Sequence, residues 1–507
     1  MRVRNGRLSW SGLVAPAFAA LVACASIFGD SAAAATFLVN SVADVPDANP
    51  GDGICETAAG NHVCTLRAAL QEANKLPGAD TIMLQANVTY TLSLTDGTGL
   101  YDAADLKVSD SVTITGAGPD STVIDGNGGA TGQAVFLVYQ CVGNVYNSQT
   151  QTCPNGNVSL SMSGLAIKHG IGPNVAGGIK NYAILTLEHV AITDNRADGI
   201  NDWGGGIYNA GSLTMTNCLL SNNSTGASNA YGAGMYNQGQ LTINDSTIQD
   251  NNTPGNGGGL FLIGSPTTIR NTTFSGNSAA QGGAIYHGGY PLHLIGDTLS
   301  GNSSGGDGGG LYNYSGTSIL INTTLSGNSS GGDGGGVYNE NGTTGLYNVT
   351  VAQNRANADD SGFASGGGVA NAASGTLTLI NSIIAGNTLI VPTVPYPTLA
   401  SDDCGGTLTS QGYNILANVG SDCSVGGPYA LTDPALGTLQ FNGGLTRTHA
   451  IAPGSPAVDA GNPGGCTDDL GAPLANDQRG VHRPYGSHCD IGAFEYADII
   501  FRNGFNP

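Results

Sequence analysis

Charge is scarce in this 507-residue chain: only 10% of residues are charged, and 15 Lys and Arg stand against 36 Asp and Glu. Trp and Met are scarce too, with two and five copies. Beyond the first 35 residues no run approaches the roughly 18 apolar residues that span a bilayer as a helix. The ten cysteines include no CxxC pair, which weakens a zinc reading. The 81 glycines follow no Gly-X-Y period, so collagen is excluded, and a hydrophobic share of 40% argues against plain disorder.

The first residues do contain a leader. Residues 1–35 carry Arg2, Arg4 and Arg7, an apolar run, and then Ala33-Ala34-Ala35, the layout of a secretory signal peptide cut before Thr36. A second reading shares the segment, because Leu21-Val22-Ala23-Cys24 matches a lipoprotein box with Cys24 as the lipidated residue. Without the leader, 12 basic residues face 35 acidic ones, a formal charge of −23. Such a surface repels phosphate backbones, so nucleic acid is not an expected partner. Eight of the remaining nine cysteines fall into close pairs, and proximity predicts the disulfides Cys55–Cys64, Cys141–Cys153, Cys404–Cys423 and Cys466–Cys489 of an exported protein. Cys218 is left over in an apolar strand pattern, where it reads as a small buried filler.

Glycine has one dominant use. The clusters AGGIKN (176–181), GGGIYN (204–209), GAGMYN (232–237), GGGLFL (257–262), GGAIYH (282–287), GGGLYN (308–313), GGGVYN (334–339) and GGGVAN (366–371) recur at spacings of 28, 28, 25, 25, 26, 26 and 32. Each is followed by alternating strand sequence that closes on Asn195, Asn223, Asn251, Asn277, Asn302, Asn328, Asn354 or Asn387. Period-2 strands broken by Gly, Asn and Ser exclude helix, and about 25 residues is too short for a propeller blade. The repeat predicts an all-β fold, a parallel β-helix with coils of about 25–28 residues stacked about 4.8 Å apart. In each GGGIYN the aliphatic side chain points inward and the tyrosine outward, while asparagines close turns and form ladders.

The repeats resemble the right-handed parallel β-helix, the pectin-lyase-like fold, and in particular polymorphic-outer-membrane-protein repeats. Residues 37–82, with CTLRAALQEAN, resemble the CSLREA-type N-terminal segment. Residues 433–461 and DQRGVHRPYGSHCDIGAFE (477–495) resemble the choice-of-anchor Q type of C-terminal region. The resemblance implies export and surface display in bacteria and no defined activity. It divides the chain into leader 1–35, N-terminal capping segment 36–104, β-helix 105–400, Cys-containing C-terminal cap 401–495 and a tail 496–507 that resembles a sorting signal. A β-helix exposes raw sheet edges at its ends, so caps are required. Leu66, Ala69, Leu70 and Ala73 form the apolar face of a short capping helix pinned by Cys55–Cys64.

Three candidate sites emerge. Asp307 and Asp333 hold the same position in adjacent coils, about 5 Å apart. Calcium accepts such oxygen ligands, so a shared cation is one reading and a pair of exposed turn aspartates the other. Asp44, Asp47, Asn49 and Asp52 in DVPDANPGDG read either as a calcium loop or as a polar turn. Tyr208, Tyr236, Phe261, Tyr286, Tyr312 and Tyr338 form an outward stripe over six coils. That stripe reads as a sugar platform or as a purely structural ladder. No cofactor is required, though calcium is admitted. GGDGGG is no phosphate loop, because no Lys-Ser/Thr follows and no helix begins. Few basic residues accompany the carboxylates, and fold does not confer function. The expectation is therefore a monomeric, exported, non-catalytic β-helix that binds extracellular polysaccharide or a cell surface. A polysaccharide lyase or hydrolase and a structural surface stalk are the alternatives.

Overall fold

A computed structural model describes residues 34–95, 105–129, 133–139, 158–360, 364–393 and 396–497. Residues 1–33 of the expected leader, with Cys24, the Cys141/Cys153 pair and residues 498–507 lie outside the described residues. A typical coil is built from three short strands, with a two-residue strand such as Ser329–Ser330 at the corner after the third. One coil supplies Leu311–Ser315, Thr317–Ile321 and Thr324–Ser326. The next supplies Val337–Asn339, Thr343–Tyr347 and Thr350–Ala352. The strands pair in parallel and in register, Leu311 on Val337, Tyr312 on Tyr338, Leu320 on Leu346 and Leu325 on Val351. Repeated along the chain, this gives an all-β right-handed parallel solenoid of about 11 coils, with one short α-helix among the described residues. The three strand positions form its first, second and third faces.

The glycine triplets are required by geometry. Gly308 and Gly334 have φ of 67° and 64°, the left-handed region that turns the chain into the first face. A Cβ on Gly309 would fall 2.4 Å from the Ser329 carbonyl oxygen and 2.5 Å from that of Gly335, inside the backbone of the next coil. Inside the tube a single apolar column runs from Leu66 through Ile192, Ile248, Leu299 and Val351 to Leu416.

At the corner after the third face, the closing asparagines are fully buried and bonded to one another. In each coil the backbone N–H and the side-chain amide both donate to the side-chain oxygen of the next asparagine, as from Asn277 to Asn302 at 3.0 and 2.9 Å. The amide also donates to a carbonyl of the preceding coil, Phe274 in the case of Asn302. The ladder ends on Asp403, whose Oδ1 accepts from the backbone and side chain of Asn387 at 3.0 and 2.8 Å. A second, interrupted ladder links Asn181, Asn209 and Asn237, and then Asn313, Asn339 and Asn371.

Helix α1, Leu66–Ala73, plugs the N-terminal end, with Thr65 as its N-cap accepting from the Ala68 N–H. Its expected apolar face joins the core beside Ile82 and Leu106. The polar residues of the same segment clamp the loop before it. Arg67 binds Asp44 at 2.6 and 3.2 Å, and Glu72 accepts from the N–H groups of Gly51 and Gly53.

At the other end the strand ladder continues past residue 400. Cys404–Ser410, Ile415–Leu416, Cys423–Gly426 and Ala430–Leu431 extend the faces. Residues 433–496 then run back along the flank of the third face. Thr298, Thr324 and Thr350 of successive coils bond Arg447, Gln478 and Ala493, and Asn322, Asn348 and Asn381 bond Asn476, Thr467 and Asp490. The disulfides Cys55–Cys64, Cys404–Cys423 and Cys466–Cys489 are formed. Cys218 is buried and free.

Asn302→Ala removes four side-chain bonds of the ladder and leaves the buried backbone N–H of Asn277 without its acceptor. It is expected to destabilise the protein by about 2–4 kcal/mol, read as a lower melting temperature than the parent's. An unchanged melting temperature would contradict the role given to the ladder.

Candidate functional site

The outer surface of the first face carries three side-chain columns. The central one is the aromatic stripe. Tyr208, Tyr236, Phe261, Tyr286 and Tyr312 stack with centroids 5.5, 5.4, 4.7 and 4.9 Å apart and planes within 13°. Tyr338 ends the stack at 5.3 Å with a tilt of 38°. The stripe does project outward from the coil wall, but its ring faces oppose each other. Trp203 and Tyr231 cover one side, and Tyr182, Ala210 and Ile263 join the same cluster. Phe261 and the four tyrosines before Tyr338 are only 3–9% exposed. A sugar cannot lie flat on rings already covered in this way.

Accessible aromatic surface lies in the adjoining turn. Tyr290 and Tyr314 are 59% and 45% exposed, and the Tyr314 ring stacks 6.2 Å from Tyr286. In the coils before them the same turn forms a shallow groove of about 410 Å³, lined by Tyr182, Gln238, Gln240 and Ser265. Its floor is Ala183, Gly211 and Gly239, and Gln238 donates to the Tyr208 hydroxyl at 2.6 Å. Sequence periodicity directs attention to the repeated tyrosine and misses this turn, where residue type varies from coil to coil.

On the opposite side of the stripe, Asp307 and Asp333 do sit in register. Asp307 Oδ1 accepts from the Asp333 N–H at 2.8 Å, and Asp333 Oδ1 accepts from the Ser365 N–H at 2.7 Å. Each carboxylate therefore staples its coil to the next. Burial raises both pKa values above the usual carboxylate range, and for Asp307 the charges of Asp333 and Glu340 add to this. Glu340 accepts from the Tyr312 hydroxyl, and Tyr338 is pushed up to about 12 by burial and then by Asp307, Asp333 and Glu340.

The residues of DVPDANPGDG are engaged within the protein. Both oxygens of Asp44 bind Arg67, and one also accepts from Ser93 and Leu94. Asp47 accepts from the Asn49 and Glu56 N–H groups, while Asp52 accepts from Ile54 N–H and the Asn49 amide. The geometry is that of a turn built by its own carboxylates. Among the described residues no group of three or more His, Cys, Asp or Glu is arranged to hold a metal.

Several basic groups are committed to structure. Burial lowers the pKa of Lys180, against the opposing pull of Asp105. Arg196 pairs with Asp198 at 3.0 Å. His287 replaces a ladder asparagine and contacts Asn313, Ser318 and the Tyr290 carbonyl. Arg483, fully buried, holds Glu495 at 3.3 Å and the Gly492 carbonyl at 2.6 Å. Burial raises the thiol pKa of Cys218 to about 11, which makes it unreactive.

Residues 111–299 match the family described as right handed beta helix region. Residues 322–340 match the Chlamydia polymorphic membrane protein repeat. The chain is a right-handed β-helix with repeats of that type. These are features of a surface or secreted β-helix protein. No curated protein matches. Among solved structures, the A-module of the mannuronan C-5 epimerase AlgE6 of Azotobacter vinelandii is similar at 14% identity and a TM-score of 0.39. That match covers 78% of this chain and 98% of the module. No helix among the described residues is long and apolar enough to cross a membrane.

Two outcomes follow from the buried columns. Tyr236→Ala opens a gap between Tyr208 and Phe261 and is expected to cost about 3–5 kcal/mol, measured by thermal or denaturant unfolding. Burial raises the pKa of Asp403 to about 6, the N–H donors of Asn387 and Asn418 opposing it. The native state therefore binds more protons than the unfolded state between the model-peptide range and pH 6, and stability from this group is gained as pH falls through that window. The rise in melting temperature from about pH 7.5 to about pH 5 is expected to be smaller in Asp403→Asn than in the parent.

Proposed function

We propose that this chain is an exported, non-catalytic β-helix that holds extracellular glycan, or adheres to a glycan-bearing surface, along the turn beside its aromatic stripe. The observation that carries the reading is the pairing of two exposed rings, Tyr290 and Tyr314, with the polar groove at Tyr182, Gln238 and Gln240 on one turn column. Aromatic side chains held by a rigid wall offer contact area at little conformational cost. The groove supplies amides and hydroxyls that match the hydrogen-bonding groups of a sugar. A formal charge of −23 without the leader favours a neutral polysaccharide over an acidic one. The stacked stripe behind the turn fixes it in place and is not itself the contact surface.

A glycan array of neutral and acidic polysaccharides tests the proposal. The parent is expected to bind neutral chains, and Tyr290→Ala with Tyr314→Ala to weaken binding by about tenfold or more at an unchanged melting temperature. Binding that survives both substitutions overturns the assignment of the turn. Release of unsaturated or reducing sugars would assign a lyase or hydrolase instead.

A further inference from the structure

We propose that Asp402 and Asp422 bind a calcium ion where the last coils meet. Asp402 is 4% exposed. Its Oδ2 accepts from the Gly366 N–H at 2.8 Å, but its buried Oδ1 has no hydrogen-bond partner. That oxygen and Asp422 Oδ1 both border Gly420. A methyl group on Gly420 would lie 3.0 Å from Asp402 Oδ1 and 2.9 Å from Asp422 Oδ1, so the two oxygens lie within about 6 Å of each other. The Cys404–Cys423 disulfide ties the two acidic stretches together, since Asp402 precedes one cysteine by two residues and Asp422 precedes the other by one.

A buried carboxylate oxygen without a donor is costly, and a second carboxylate beside it adds repulsion. After burial itself, the charge of Asp422 is the largest influence raising the pKa of Asp402. A divalent cation between the two removes both costs. The donors are all oxygen, and the neighbouring cysteines are consumed in a disulfide, which disfavours zinc. Asp422 is exposed and free to turn toward an ion, and water completes the flexible shell that calcium accepts. Two carboxylates suit the weak affinities of extracellular modules, about 0.1–1 mM. The site is independent of the glycan reading.

Equilibrium dialysis of the full chain against 45CaCl2 near pH 7.5 tests the assignment. About one ion per chain is expected to bind, at least about tenfold more weakly in Asp422→Asn. Melting is expected about 1–3 °C higher in about 10 mM CaCl2 than in EDTA for the parent alone. No binding up to about 10 mM, or equal binding by Asp422→Asn, overturns the proposal. It is also overturned if melting ignores calcium but rises on acidification in a way that Asp422→Asn abolishes, which would assign a proton shared by the two carboxyls. Asp402→Asn is a second variant, and because Asp422 is exposed the test does not depend on whether the Asp402 variant folds.

Discussion

A primary amide can accept from one coil and donate to the next across the spacing of a parallel sheet. Eight buried asparagines use this property from Asn195 to Asn387, each side-chain amide donating to the next side-chain oxygen toward the C-terminal end of the stack. Aligned amide dipoles build up a positive end, and the chain places the carboxylate of Asp403 there. Burying that charge is unfavourable, as its raised pKa records, but the donors that meet it are preorganised by the ladder. The ladder fixes where each coil sits on the next, and every other column depends on that register.

Once register is fixed, a substitution in one repeat becomes a change at one height of a column. The column beside the aromatic stripe runs Val175, Trp203, Tyr231, Asn256 and Gln281 in bridged succession, then Asp307, Asp333 and Ser365. Its character passes from aromatic cover to amide to acid. Trp203 and Tyr231 shield the stripe in the N-terminal coils, whereas Asp307 and Asp333 staple backbone in the C-terminal ones. The other flank passes from Tyr182 and Gln238 to the exposed Tyr314 and then Glu340. A uniform scaffold thereby carries a surface that differs along its length.

Much of the fold was legible in the sequence because the stacking constraint acts on every coil alike. The glycine triplets, closing asparagines and inward aliphatics repeat, and each fell where periodicity expected it. The capping helix was legible for the same kind of reason, as the apolar face of Leu66, Ala69, Leu70 and Ala73, whereas its Thr65 cap was not read from the sequence. What escaped depends on pairs distant in sequence. The Asp44–Arg67 pair clamps the DVPDANPGDG segment to the capping helix. Gln478 reaches Asp297 and Thr298, about 180 residues earlier, and lays the C-terminal segment along the flank. The strands after residue 401 lack the glycine triplet, so the repeat alignment passes over them, yet they pair in register to Leu431. The aromatic stripe was placed on the correct side of the wall, but its cover comes from positions whose residue type varies, which a repeat alignment averages away.

Native-state hydrogen exchange read by mass spectrometry tests the ladder most directly. The backbone N–H groups of Asn277, Asn302 and Asn328 lie in turns, where exchange is ordinarily fast. Each is buried and bonded to the next asparagine at 2.9 or 3.0 Å. Peptides spanning these residues are expected to exchange as slowly as the neighbouring strands, and to open only with global unfolding. Exchange there at the rate of exposed loops would contradict the account, because a ladder that opens locally cannot set the register of the stack.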